Sequence, residues 1–165
     1  MFHKKLDNNL YNTLLHLSRN IFFYKKTNLQ DNFETRLYLM FFHFCVLMII
    51  FKKKGKKLEQ HHYDSFFHNI EYNLRELGFG DVSVNKKMKD FNKILYDILL
   101  KLDLSEKNNN AFKLNHNLVF KYFSKFNDQK DKEYAAFETY FMKFFNFCFE
   151  LSLDNVLISA KKFKL

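Results

Sequence analysis

An all-α domain is the fold the sequence predicts, and three features predict it. Apolar residues recur at steps of three and four through most of the chain, and no segment alternates as a half-buried strand does. There is no Pro, and the glycines are Gly55, Gly78 and Gly80, whereas a sandwich or barrel spends many of both on its turns. The 165 residues are 47% hydrophobic and 19% aromatic, enough to fill a sizeable core despite the charge. The expectation is a single compact domain over residues 1–165 with about six to seven helices.

The first helix is predicted from about Asp7 to Phe22. Leu6, Leu10, Leu14 and Leu17 or Ile21 share one face, Tyr11 and Leu15 widen it, and Asp7 or Asn8 is placed to cap it. The pattern breaks from Tyr24 to Asn32, which reads as a connection. Asp31 or Asn32 then caps a second helix, about Phe33 to Lys54. Within it, Leu37 to Phe51 carries no formal charge over 15 residues, with His43 in the middle. A membrane span needs about 20 residues, so a central core helix is expected, with a short interfacial helix as the competing reading.

Gly55 is expected to end that helix inside the run Lys52, Lys53, Lys54, Lys56, Lys57. A third helix follows, about Leu58 to Leu77, burying Tyr63, Phe66 or Phe67, Ile70, Leu74 and Leu77. Gly78 supplies the left-handed position after it, where a side chain clashes. Phe79 to Ser83 forms the turn, Asp81 or Ser83 offers the first acceptor, and a fourth helix runs from about Val84 to Leu102. Met88, Phe91, Ile94 or Leu95, Ile98 and Leu102 face inward. Ser105 to Asn110 is a loop. Helical segments are then expected at about Ala111 to Phe126, Lys130 to Glu150 and Asp154 to Phe163.

The formal charge is +9, and its make-up is uneven: of the 27 cations only Arg19, Arg36 and Arg75 are arginines. Lys86, Lys87 and Lys89 make a second basic run. Taken with Lys52 to Lys57, they predict a docking surface for an anionic partner: a membrane surface, an RNA-rich particle or an acidic protein. Cys45 and Cys148 lie in the most apolar stretches and read as buried thiols rather than a disulfide framework. The polar opening from Met1 to Asn9 predicts neither a signal peptide nor a transit peptide.

Catalytic and metal chemistry find little support. His61, Asp64, His68, Glu71 and Arg75 stand on one face of the third helix at steps of 3, 4, 3 and 4. A metal shared by His61 and Asp64 lacks nameable further ligands, and Glu-x-x-His, found at Glu59–His62, is not repeated as a di-metal helical bundle requires. A solvated face with a Glu71–Arg75 pair, or a partner-binding face, accounts for the same residues. There is no Gly-x-Ser-x-Gly elbow, no Cys-x-x-Cys and no Gly-rich phosphate loop. These observations predict no cofactor, no catalysis and no specific DNA binding.

Read together, several segments resemble the ubiquinol–cytochrome c chaperone family in its alphaproteobacterial form. The strongest match is Asn73-Leu74-Arg75-Glu76-Leu77-Gly78-Phe79-Gly80-Asp81-Val82-Ser83-Val84, with the Lys-rich helix start after it. Tyr63-Asp64-Ser65-Phe66-Phe67 resembles the family's Phe-Asp-x-Phe-Phe. Asp31, Arg36 and Leu39 to His43 resemble its Asp-x-x-x-x-Arg-Phe and the apolar helix that follows. Leu10-Tyr11, Arg19 and Phe23-Tyr24 resemble its opening helix. The likeness covers about residues 10 to 104, and all three arginines fall on it; a bidentate carboxylate contact is one reason to require Arg there.

The resemblance implies an all-helical assembly chaperone for the cytochrome bc1 complex that stabilises unassembled cytochrome b. It implies a bacterial cytoplasmic location, peripheral to the inner membrane, with the ribosome or an anionic membrane surface as further contacts. Lys52, Lys53, Lys54, Lys56, Lys57, Asp64, Glu71, Arg75, Lys86, Lys87 and Lys89 are the expected partner-binding residues. Asp31, Arg36, Gly78, Gly80 and Asp81 are the expected structural ones. A peripheral lipid-binding module is the competing function.

Overall fold

The computed structural model describes residues 8–105 and 112–165. The expected Asp7 cap, the Leu6 position, the loop at 106–110 and the Ala111 helix start lie outside them. Among the described residues the elements are α1 (Asn9–Ser18), α2 (Phe22–Lys25), α3 (Phe33–Lys53), α4 (Gln60–Glu76), α5 (Asp81–Ser105), α6 (His116–Tyr122), α7 (Lys132–Phe149) and α8 (Val156–Ser159), then a 3-10 turn at Ala160–Lys162. The fold is all-α, as the periodicity predicts.

The architecture is built around α3. Thirteen of its 21 side chains are buried, a continuous block from Leu39 to Leu47 among them. It packs against α1, α5 and α7 along its length. Its aromatic rings also meet α4, with Phe44 and Phe66 5.0 Å apart, and the end of α6, with Phe42 and Phe123 5.3 Å apart. A helix covered on all sides gains nothing from an amphipathic pattern, which is why its middle is apolar all round. By length and composition α3 could cross a membrane, yet two thirds of its most apolar stretch is buried inside the protein. It is the core helix that the Leu37–Phe51 segment predicts.

Local chemistry sets the helix ends. Asn32 caps α3 by accepting the Thr35 N–H at 2.8 Å, leaving Asp31 to pair with Arg36 at 2.7 Å. Both α3 and α4 stop in Schellman motifs with glycine in the left-handed region. After α3, the Gly55 N–H bonds the Lys52 carbonyl and the Lys56 N–H bonds that of Phe51, with Gly55 at φ +73°. After α4, the pairs are Gly78 with Arg75 and Phe79 with Leu74, with Gly78 at φ +98°. Gly80 has no such demand: it has no left-handed φ, and a side chain there meets nothing within 4 Å.

Five expectations need correction. The first helix ends at Ser18, not Phe22: the Ser18 hydroxyl turns back on the Leu15 carbonyl, Asn20 accepts the Phe22 N–H, and a separate turn, α2, starts there. Asn8 does not cap α1 through its side chain, which instead accepts from Asn69 of α4 at 3.0 Å. Leu77 is 61% exposed rather than buried, because it is the capping residue beyond the last turn of α4. The fourth helix starts at Asp81, three residues early, with the Gly80 carbonyl taking the first N–H. The segment expected to be helical from Ala111 to Phe126 is helical only from His116 to Tyr122.

The C-terminal elements close the core. The Tyr140, Phe141 and Phe144 side chains of α7 surround His43. The Thr13 hydroxyl donates to the Leu157 carbonyl at 2.7 Å, tying the first helix to the last. Cys45 and Cys148 are buried free thiols, as expected, and burial pushes the Cys148 thiol up to about 12.

Candidate binding surfaces

The lysine run follows the turn that ends α3, and the turn divides it. Lys53 and Lys54 face α7, with their ammonium groups 5.4 Å from the Phe145 ring and 4.9 Å from the Phe149 ring. Lys54 also donates to the Leu151 carbonyl at 2.9 Å. Lys52, Lys56 and Lys57 instead line a cleft of about 530 Å³ between α3, α4 and α5. Its floor is apolar: Met48, Leu58, Tyr63, Leu95 and Leu99. Lys52 is paired with Asp103 at 2.5 Å, so Lys56 and Lys57, both exposed, carry the free cationic character of the rim.

The polar face of α4 forms as its spacing predicts, but its partners differ. His61 pairs with Glu59 at 3.1 Å, and Asp64 with Gln60 at 3.0 Å. The ligand atoms of Glu59, His61 and His62 do lie within 4.8 Å of one another. A dication there faces the positive end of the α4 dipole and, around the adjoining cleft, Lys56 and Lys57; both oppose it. Arg75 holds both Glu71, at 3.1 Å, and Asp81 of α5. These hydrogen bonds, Asp81 first, raise the guanidinium's already high pKa. Asp31 takes no part in this cluster, being held by Arg36.

Lys86, Lys87 and Lys89 sit on the first turns of α5, beside the far end of α4. Lys87 lies 4.7 Å over the Phe79 ring. The two lysine runs therefore stand at opposite ends of α4, whose 17 residues span about 25 Å. The helix α4 lies between them, with Asp64, Glu71 and Arg75 along it.

A second concavity was not anticipated. Tyr11 and Leu15 of α1 with its cap Arg19, Phe33, Arg36, Leu37 and Met40 of α3, and Ile70, Asn73, Glu76 and Leu77 from α4 and its cap enclose a groove of about 570 Å³. A more open cleft continues from it past Arg19 and Arg36 to Ile21, Tyr24 and Lys25. The signal for it was in the sequence: two of the three arginines in a lysine-rich chain meet here.

One buried polar group also escaped the sequence reading. His43 bonds the Leu39 carbonyl through Nδ1 at 2.6 Å and the Tyr140 hydroxyl through Nε2 at 2.8 Å. Burial lowers its pKa to about 3, only partly offset by the Leu39 bond, so the ring is neutral. Nδ1 then donates to the carbonyl and Nε2 accepts from the hydroxyl. The pair is a core fastening, remote from both clefts.

Fold and surface together define the class: an all-helical scaffold whose concave surfaces are apolar and edged by cations, suited to holding another molecule. The family model for ubiquinol-cytochrome C chaperone matches residues 25–163, and the chain belongs to that family. It is a family of non-catalytic chaperones acting in cytochrome bc1 assembly, in agreement with the non-enzymatic reading of the sequence. The match includes the C-terminal third, where no motif had been placed, and starts after Leu10-Tyr11 and Arg19. No curated protein and no solved structure matches the chain.

Proposed function

We propose that this chaperone holds unassembled cytochrome b, and that the cleft edged by Lys52, Lys56 and Lys57 is where it docks. The observation that carries this reading is the pairing of an apolar floor with an exposed cationic rim at that cleft. Lys56 and Lys57 steer the encounter with an anionic region of the client or of the ribosome making it, and the floor holds apolar side chains. The α4 face with Asp64, Glu71 and Arg75 extends the surface toward Lys86, Lys87 and Lys89. The protein works in the bacterial cytoplasm, against the inner membrane where the client inserts.

The test is a deletion strain complemented by tagged protein, read for cytochrome b, for assembled bc1 complex and for co-purifying subunits. The expected result is loss of cytochrome b in the deletion and its recovery with the tagged chaperone. Lys56→Glu with Lys57→Glu should weaken that recovery and leave circular dichroism and melting unchanged. Raised salt should act in the same direction, since exposed charges are screened over about 8 Å at physiological ionic strength. Normal bc1 levels in the deletion, with binding to anionic vesicles in the absence of any client, would replace this reading with a lipid-binding module.

A further inference from the structure

The groove between α1, α3 and the end of α4 has the build of a second binding site. Leu15, Leu37, Met40 and Ile70 supply apolar lining, and the walls end in side chains left in solvent. Leu77 is 61% exposed and Phe33 39%, and beyond them Phe79 of the α4–α5 turn and Val82 at the start of α5 are exposed. The charges are arranged around the same opening. Asp31 offsets Arg36, holding its Nε at 2.7 Å, and Glu76 is the carboxylate of the lining. Arg19 makes no ion pair among the described residues, and Lys25 stands beside it in the adjoining cleft. An unpaired guanidinium at the edge of an apolar groove is complementary to one well-placed carboxylate.

We propose that this groove takes an amphipathic helix of a partner protein, with its apolar stripe on the lining and a carboxylate on Arg19. This rests on the reading that the chain works by holding proteins, and adds a second site to it. The walls are helices whose backbone groups are already bonded, so they present no sheet edge to an extended peptide, which would bury its own backbone unpaired. A helix brings its backbone hydrogen bonds with it. A bilayer is planar and touches the rim, whereas the apolar lining lies in a concavity.

The test uses the full chain and a labelled synthetic helix of about 16 residues, roughly four and a half turns, with a leucine stripe and glutamates at one end. Its partners in the experiment are the same peptide with glutamines, and vesicles of phosphatidylglycerol and phosphatidylethanolamine. The acidic peptide should bind, and Arg19→Ala, Leu77→Asp and the glutamine peptide should each weaken binding by about tenfold, as loss of an anchoring contact does. Both substitutions are at exposed positions, so circular dichroism should stay unchanged. Lys56→Glu with Lys57→Glu should leave peptide binding intact. Equal binding of the acidic peptide by wild type, Arg19→Ala and Leu77→Asp would overturn the groove and leave cytochrome b recovery, read separately, untouched. Vesicle binding lost with Leu77→Asp, with no peptide binding, would also overturn it and make the rim a membrane contact.

Discussion

Between α3 and α7 one polar pair, His43 with Tyr140, sits in an otherwise aromatic interior. Between α4 and α5 the polar contacts are at the rim: Arg75, also paired with Glu71 of its own helix, with Asp81, and Tyr63 with Asn92. The first interface is dry and spends its polar groups only where both partners are satisfied. The second is a hairpin with one wet side. Similar hydrogen bonds should therefore carry very different weight, because losing a partner leaves a buried group stranded in one place and hydrated in the other. The binding surfaces belong to the wet part, where side chains can be exchanged without disturbing the dry one.

The largest effect should come from the dry interface. Phe137 is fully buried and its ring meets Phe23, Phe42, Phe123 and Phe126, joining α2, α3 and the segment after α6 to α7. Phe137→Ala should cost about 3–5 kcal/mol in a denaturant titration, the cost of a large core cavity. A loss near 1 kcal/mol would mean that α7 packs loosely on α3.

A second probe is acid. The neutral, buried His43 has a folded pKa of about 3, against about 6.5 in an unfolded chain. The unfolded state binds the proton first, so stability falls as pH drops below about 6.5 and continues to fall toward the folded value. The slope from this group is about 1.4 kcal/mol per pH unit. Melting temperatures between pH 7 and 5 should show the slope in the wild type and not in His43→Gln. A slope unchanged by that substitution would assign the acid sensitivity elsewhere.

Much of this contrast was legible in the sequence. The unbroken apolar run from Leu37 to Phe51 announces a helix covered on all sides, and Gly55 and Gly78 stand where left-handed backbone ends α3 and α4. What was not legible is whatever depends on distant partners. Nothing near His43 points to Tyr140, 97 residues away. The break at Arg19-Asn20 carries no Gly or Pro, so the leucine pattern by itself runs on to Phe22. The lysine run looked like one patch because spacing does not show that the Schellman turn at Gly55 sends Lys53 and Lys54 toward α7 and Lys56 and Lys57 toward the cleft. The arginine groove needed three elements brought together, two of them adjacent to breaks in the pattern.

Between the extremes lies Asp97, half-buried where α5 meets α6. Partial burial works to raise its carboxyl, but hydrogen bonds from Lys101, Tyr122 and Lys121 outweigh this and hold it below the usual carboxylate range. Asp97→Asn should cost about 1–2 kcal/mol, since charge-assisted bonds are lost at a site that still reaches water. The same loss should appear in the wild type at low pH, as the depressed carboxyl is finally protonated. An unchanged denaturant midpoint would place the α5–α6 contact among the wet, weak ones.

The smallest effect should be at Arg75. The guanidinium reaches Glu71 at 3.1 Å and also Asp81, so it spans the α4–α5 turn, which makes it look like a latch. Its surroundings argue otherwise. Its side chain is 42% exposed and that of Asp81 82%, so all three groups keep much of their hydration when the contact breaks. The turn is already specified by the Gly78 Schellman motif and by the Gly80 carbonyl that takes the Val84 N–H at 2.9 Å. Arg75→Ala should therefore leave the melting temperature almost where it was, while Gly78→Ala, forced into a left-handed conformation, should lower it visibly. If instead Arg75→Ala destabilises as much as Asp97→Asn, the hairpin is held by its charges and not by its backbone, and the division into a dry and a wet half fails at this turn. If it leaves stability intact but weakens recovery of cytochrome b, Arg75 belongs to the docking face that begins at Lys56 and Lys57.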